Sequence, residues 1–172
     1  MDFDKKGSQV IDHFAFDVAA DSHLDHTAIL ASNAVKSQVI LGDYMSNAQP
    51  VLYKGIGLSV DEANILAVTV LSGNPSTYSA TSKDIVDYPE NAGSDVILVA
   101  ALQGRNNARV VVTGSIDMFS NNFLKANKGT GNEVFCTELA RWNFGDRYHR
   151  ILTLNVLFFF SNFHFSQRSA AI

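Results

Sequence analysis

Val96-Ile-Leu-Val-Ala-Ala-Leu-Gln-Gly-Arg-Asn-Asn-Ala-Arg-Val-Val-Val112 is the stretch whose reading decides the fold. Its first seven residues are apolar at odd and even positions alike, as in a strand covered on both faces. Gly104-Arg-Asn-Asn107 then supplies turn chemistry, because Gly and Asn enter the left-handed region at little cost. Ala108-Arg-Val-Val-Val112 returns with β-branched residues. The whole reads as strand–turn–strand, a buried antiparallel hairpin.

Outward from the hairpin, short apolar runs alternate with polar turns. Gln9–Asp12, Thr27–Ala31, Val51–Tyr53 and Leu66–Leu71 read as strands, the last closed by Ser72-Gly-Asn-Pro75. Val35–Leu41 is apolar and stops at Gly42-Asp43. On the carboxy side, Asn132–Phe144 reads as a helix. Phe135, Leu139 and Trp142 fall at i, i+4 and i+7 and form one apolar stripe. Thr130 or Asn132 is the expected N-cap, and Glu138 with Arg141 the expected weak surface pair. Strands plus an amphipathic helix imply an α/β layered domain over residues 10–144. It lies between a polar stub, 1–9, and an apolar tail, 145–172.

The chain has 172 residues, with 13 Lys+Arg against 17 Asp+Glu for a net charge of −4. An acidic balance argues against a general nucleic-acid binder, which needs a basic face for phosphate. At 47% hydrophobic and 17% charged residues the chain is not a disordered one. Its single cysteine, Cys136, excludes an internal disulfide and a Cys-cluster metal site. The amino terminus has no apolar core of a secretory signal. Ile151–Phe165 is Phe-rich and interrupted by Asn155, Asn162 and His164, shorter than the ~20 residues of a spanning helix. It reads instead as a buried or aggregation-prone strand.

Each candidate for chemistry has a plainer counterpart. Asp12-His13 with Asp21, His23, Asp25 and His26 matches no metal-ligand spacing, and a solvated loop is the simpler reading, so no metal site is expected. Gly55-Ile-Gly57 lacks the third small residue of a dinucleotide fingerprint, Val60 standing in its place; it reads as a tight strand exit, and no cofactor is expected. Cys136 lies beside the apolar stripe of the helix and reads as a small buried hydrophobe. No catalytic residue is assigned. Ser115 and Asp117 stand at the end of a buried strand, where an α/β sheet opens its crevice. They either hydrogen-bond a ligand there or, the commoner use, cap the turn that follows. Gln103, Arg105, Asn106, Asn107 and Arg109 form the densest polar cluster. It suits a carboxylate, a phosphate or a partner's backbone, or else it is a hairpin tip whose arginines tie down neighbouring loops.

The stretch from Val96 to Ser120, with Gln103-x-Arg-Asn-Asn-Ala-Arg109 and Gly114-Ser-x-Asp-x-Phe-Ser120, resembles the signature of the oligosaccharyltransferase forty-eight-kilodalton subunit family. Supporting pieces run in the same order: Val10-Ile-Asp-His13, His26-Thr27, Lys36-Ser-x-Val-Ile-Leu-Gly42, and Pro50-Val-Leu52 with Gly55-Ile-Gly57. Leu71-Ser72 with Tyr78-Ser79, Gly131-Asn132, Glu138-Leu139 and Trp142-x-Phe144 continue the series. The resemblance covers Val10 to Phe144. It implies a luminal domain of the glutamine-amidotransferase-like (flavodoxin-like) kind in a non-catalytic subunit of an endoplasmic-reticulum membrane complex. That complex transfers a lipid-linked oligosaccharide to asparagine in Asn-x-Ser/Thr sequons. It also implies partners: a multi-spanning catalytic subunit that holds the metal, and small membrane subunits, with a membrane helix near the carboxy end of full-length members. Two other classes stay open: a sugar- or peptide-binding module using Ser115, Asp117 and the Arg105–Arg109 tip, and an amidotransferase-like enzyme, for which Cys136 lies in the wrong kind of segment. The family's signal peptide and first α/β elements are not met before Val10, and the similarity stops after Phe144. The expectation is therefore a partial or mis-spliced product, with a tail of non-coding or frameshifted origin. Such a half-sheet is expected to be marginally soluble and poorly cooperative on unfolding.

Overall fold

The computed structural model describes residues 1–20, 25–61, 63–81, 89, 91–124 and 129–146. Along the chain come β1 (Asp2–Phe3), β2 (Ser8–Ile11), β3 (Ile29–Ala31), β4 (Asn33–Ala34) and the short α1 (Gln38–Leu41). After a 3-10 turn at Gly42–Asn47 follow β5 (Val51–Tyr53), β6 (Leu58–Ser59), β7 (Ala67–Ser72) and β8 (Tyr78–Thr81). Residues 97–144 hold β9 (Ile97–Gln103), β10 (Arg109–Thr113), α2 (Asn121–Leu124) and α3 (Asn132–Phe144). Of the apolar tail expected over 145–172, residues 147–172 lie outside the described residues, and with them all of Ile151–Phe165.

β9 organises the molecule. It pairs with β10 from Arg109↔Gln103 to Thr113↔Val99, with β7 along its other edge, and with β6 at Leu58↔Ile97. Among the described residues the main sheet runs β1-β6-β9-β7-β4 with β10 attached to β9, beside two ribbons, β2-β8 and β3-β5. The seven strand pairings of the described residues are all antiparallel. The domain is thus mixed α/β with antiparallel sheets and few helices, and the expected hairpin stands at its centre. Leu98, Val99, Ala100 and Ala101 are buried, as their two-sided apolar pattern requires. β7 begins one residue later than the apolar run suggested, and Leu66 stays partly in solvent. Val70 falls in a register shift against β9, and its carbonyl accepts the Val35 amide instead.

α3 spans the residues its periodicity indicated. Phe135, Leu139 and Trp142 are buried, and Phe135 meets Tyr44 edge-on at 5.2 Å between ring centres. Its start differs from the expectation. Gly131 holds the N-cap position without a side-chain bond, because Asn132 is committed to β5: its Oδ1 accepts from the Leu52 amide and its Nδ2 donates to the Leu52 carbonyl, both at 2.8 Å. Glu138 and Arg141 do pair, at 2.7 Å, but Glu138 is only 2% exposed. The pair is not a solvated one, since Glu138 also accepts from the Asp43 amide and so ties the 3-10 turn to α3. Gly145 closes the helix in the left-handed region at φ 71°.

Residues 1–9, read as a stub, hold β1 and the first half of β2. Asp4 donates its amide to the Gly57 carbonyl. The Gly55–Gly57 exit is tight for a definable reason: the backbone crosses Gly114 in contact, with the Ile56 amide bonded to the Gly114 carbonyl at 3.1 Å. A Cβ at 55 would collide with that carbonyl, and one at 114 with the carbonyl of Ile56.

Candidate functional site

The polar cluster at the β9–β10 turn is divided by the structure into three roles. Asn107 takes the left-handed conformation at φ 63° and closes the turn through its amide to the Gly104 carbonyl. Gln103 Nε2 donates to Asn107 Oδ1 at 2.7 Å, and Asn106 Oδ1 accepts the Ala108 amide at 3.2 Å, so these three side chains shape the bend. Arg109 is turned away from the tip. Its guanidinium lies 5.2 Å above the Trp142 ring and donates to the Trp142 carbonyl at 2.7 Å, clamping β10 to the last turn of α3. Arg105 stands exposed at the turn.

Ser115 and Asp117 part company. Ser115 is buried, donates its hydroxyl to the Lys54 carbonyl at 2.6 Å, and accepts the Met118 amide at 3.3 Å. It thereby caps the 3-10 turn Asp117–Phe119. Asp117 is exposed. Cys136 is buried, its Sγ 3.5 Å from the Met118 carbonyl, and burial pushes its thiol up to about 12. A thiol so raised is protonated at neutral pH and is no nucleophile.

A second polar assembly was not foreseen as such. Asp12, the last residue of the expected strand Gln9–Asp12, is completely buried. Its carboxylate accepts the amides of Phe14 and Ala15 at 2.9 and 3.0 Å and the hydroxyls of Ser76 and Thr77 at 2.9 and 2.8 Å. Burial works to raise its pKa. The bonds from Ala15, Phe14, Thr77 and Ser76 outweigh that and hold the carboxyl below its ordinary value. Asn74 extends the network: it donates to the Leu30 carbonyl at 2.8 Å and accepts from the Ser32 amide and hydroxyl. Above Asp12, the Nδ1 atoms of His13 and His26 face each other, and His13 Nε2 lies 2.9 Å from the Tyr78 hydroxyl. Phe16 stacks on His26 at 4.2 Å. Asp21 and His23 of the sequence cluster lie outside the described residues. Among the described residues no group of three or more His, Cys, Asp or Glu is placed to hold a metal ion, and no helix is long and apolar enough to cross a membrane.

A family model described as the OST48 N-terminal domain matches residues 1–146. The chain belongs to the OST48 family. The match takes in the first nine residues as well as the span from Val10 that carries the resemblance. Curated relatives agree. The 48 kDa subunit of dolichyl-diphosphooligosaccharide–protein glycosyltransferase from Arabidopsis thaliana is 42% identical over 161 residues, covering 87% of this chain and 36% of the relative. Its namesakes from Caenorhabditis elegans and Danio rerio are 36% and 37% identical, covering 83% and 84% of this chain and 34% and 35% of theirs. The chain thus spans about a third of the length of the curated relatives it matches. Three of the short stretches on which the resemblance was drawn, Val10–His13, His26–Thr27 and Tyr78–Ser79, meet around Asp12.

Proposed function

We propose that this OST48 domain works as an accessory, non-catalytic part of the oligosaccharyltransferase complex. In this reading it supports assembly and stability while another, multi-spanning subunit transfers the lipid-linked oligosaccharide to Asn-x-Ser/Thr sequons. Its setting is the luminal side of the endoplasmic-reticulum membrane, beside the catalytic and small membrane subunits, with membrane attachment through a helix of the longer family form. The match over residues 1–146 carries this reading. The geometry supports it, because the side chains that invite a catalytic reading are committed to structure: Cys136 is a buried, protonated thiol and Ser115 a cap. We assign partner contact to the exposed part of the hairpin tip, Arg105 with the outer edges of Gln103, Asn106 and Asn107, and base support to Arg109. An exposed guanidinium on a rigid two-stranded base suits a carboxylate or backbone carbonyls of a neighbouring subunit. In the same reading the antiparallel sheets are part of an amidotransferase-like layered domain completed in the longer relatives.

A tagged form of the chain, directed to the endoplasmic reticulum of cells depleted of their own 48 kDa subunit, tests the proposal. Recovery of other oligosaccharyltransferase subunits with the tag, weakened by Arg105→Ala, is the expected result. Recovery of the folded chain alone would refute it.

A further inference from the structure

β7 and β9 leave part of their shared face open at one end. Val68 of β7 stands opposite Ala101 of β9, and with Leu66, Ile40 of α1 and Trp142 of α3 they line a groove of about 150 Å³. Leu66 and Val68 remain 36% and 40% exposed there, although a sheet face in a layered domain is stabilised by being covered. The walls are fixed before anything enters. α1 packs on α3, and Arg109 clamps the Trp142 end of α3 to β10. Among the described residues the lining carries no charged side chain.

We propose that this groove is the docking site of the chain's own Phe-rich segment, with a phenyl ring from Phe158-Phe-Phe160 seated in it. Size, reach and chemistry choose that occupant. An apolar cavity of ~150 Å³ takes a benzene ring, which is the side chain of phenylalanine. The chain also leaves the described domain at the groove. Trp142 lines it, and Gly145 turns the backbone off α3 in the left-handed region, the Gly145 and Asp146 amides bonding back to the Trp142 and Arg141 carbonyls. Residues 147–157 separate Asp146 from Phe158 and reach up to ~36 Å at about 3.3 Å each, more than the ~20 Å length of α3. The tether is therefore long enough for return to the Trp142 end and short enough to keep the local concentration of phenyl rings high. Ile151–Phe165 contains no Asp, Glu, Lys or Arg, which matches an uncharged lining, and it gains by leaving water.

Photo-crosslinking of the whole 172-residue chain tests this. Ser37 lines the groove and makes no side-chain cap bond at the start of α1, so it is the position for a photoreactive probe, Ser37→p-benzoylphenylalanine. Heavy-isotope-labelled and unlabelled chains are mixed before irradiation. The expected product is a link within one chain, of a single isotope, to a peptide of 151–165. Adding Phe158→Ser, Phe159→Ser and Phe160→Ser abolishes that product. The same three serines in a chain with Ser37 intact shift the emission of Trp142 to the red, as water replaces the phenyl ring. Links joining the two isotopes would make a second copy the occupant and overturn the proposal. Links to another segment, no link from the folded probe variant, or unchanged Trp142 emission in the serine variant overturn it equally. Should the probe variant fail to fold by circular dichroism, the Trp142 emission decides it.

Discussion

The side-chain amide of Asn132 pairs with both the N–H and the C=O of Leu52, so the first residue of α3 binds β5 as a neighbouring strand would. Both residues are fully buried, and no water can take over these bonds. Asn132→Ala is expected to leave a donor and an acceptor stranded and to cost about 2–6 kcal/mol at 1–3 kcal/mol per orphaned group. Urea unfolding followed by the fluorescence of the single tryptophan, Trp142, would show it as a lower midpoint at unchanged slope.

Asp12 predicts an acid-sensitive stability. Its folded-state pKa is depressed, so its contribution is fully present above the unfolded-state value of about 4 and is lost as pH falls through the folded one. Unfolding midpoints measured from neutral to strongly acidic pH should fall accordingly. Asp12→Asn should be destabilised by about 3 kcal/mol at neutral pH, since charge-assisted bonds are worth ~1.5–3 kcal/mol each and Asn turns a donor toward donors. Its acid dependence should be correspondingly flatter.

The two arginines of the tip separate by measurement. Arg109→Ala removes the bond to the Trp142 carbonyl and the stacking on its ring, and should cost ~1–3 kcal/mol with red-shifted tryptophan emission as the readout. Arg105→Ala should change stability by no more than ~0.5 kcal/mol, as exposed substitutions do. Equal losses from the two would contradict the division of the cluster.

Gly114→Ala should be among the most damaging single-methyl additions. The new Cβ meets the Ile56 carbonyl and the Tyr53 hydroxyl, and neither can retreat, because Tyr53 is fully buried and bonded to Ile56 at 2.6 Å. Overpacking of this kind costs ~1–3 kcal/mol, and a melting curve would register it. Gly7→Ala, with nothing near its Cβ, is strained only through its φ of 92° and should cost less.

Cys136 should behave as an inert core residue. With its thiol raised to about 12 by burial, reaction with a disulfide reagent should follow global unfolding and accelerate in denaturant. Rapid modification of the native chain would show the thiol to be accessible.

What was legible in the sequence is what depends on neighbours along the chain. The two-sided apolar run of Val96–Leu102, the Gly104–Asn107 bend and the 3.6-residue stripe of α3 are local patterns, and the structure follows them closely. The helix cap at 131–132, the burial of Glu138 and the network on Asp12 were not legible. Each is a long-range bond between a side chain and a segment 60 or more residues away: Leu52 for Asn132, Asp43 for Glu138, Ser76 and Thr77 for Asp12. Nothing in the flanking residues distinguishes such an Asp or Asn from one in a solvated turn. The juxtaposition of His13 with His26 was hidden for the same reason, since their spacing fits no helix or strand period.

The saturation of Asp12 also bears on how this domain can change over evolutionary time. Two backbone amides and two hydroxyls converge on one carboxylate, so its loss would leave several donors needing new acceptors at the same moment. Positions 12, 76 and 77 are consequently coupled: a replacement at 12 strands the hydroxyls at 76 and 77, and a replacement at either of those withdraws a donor from the carboxylate.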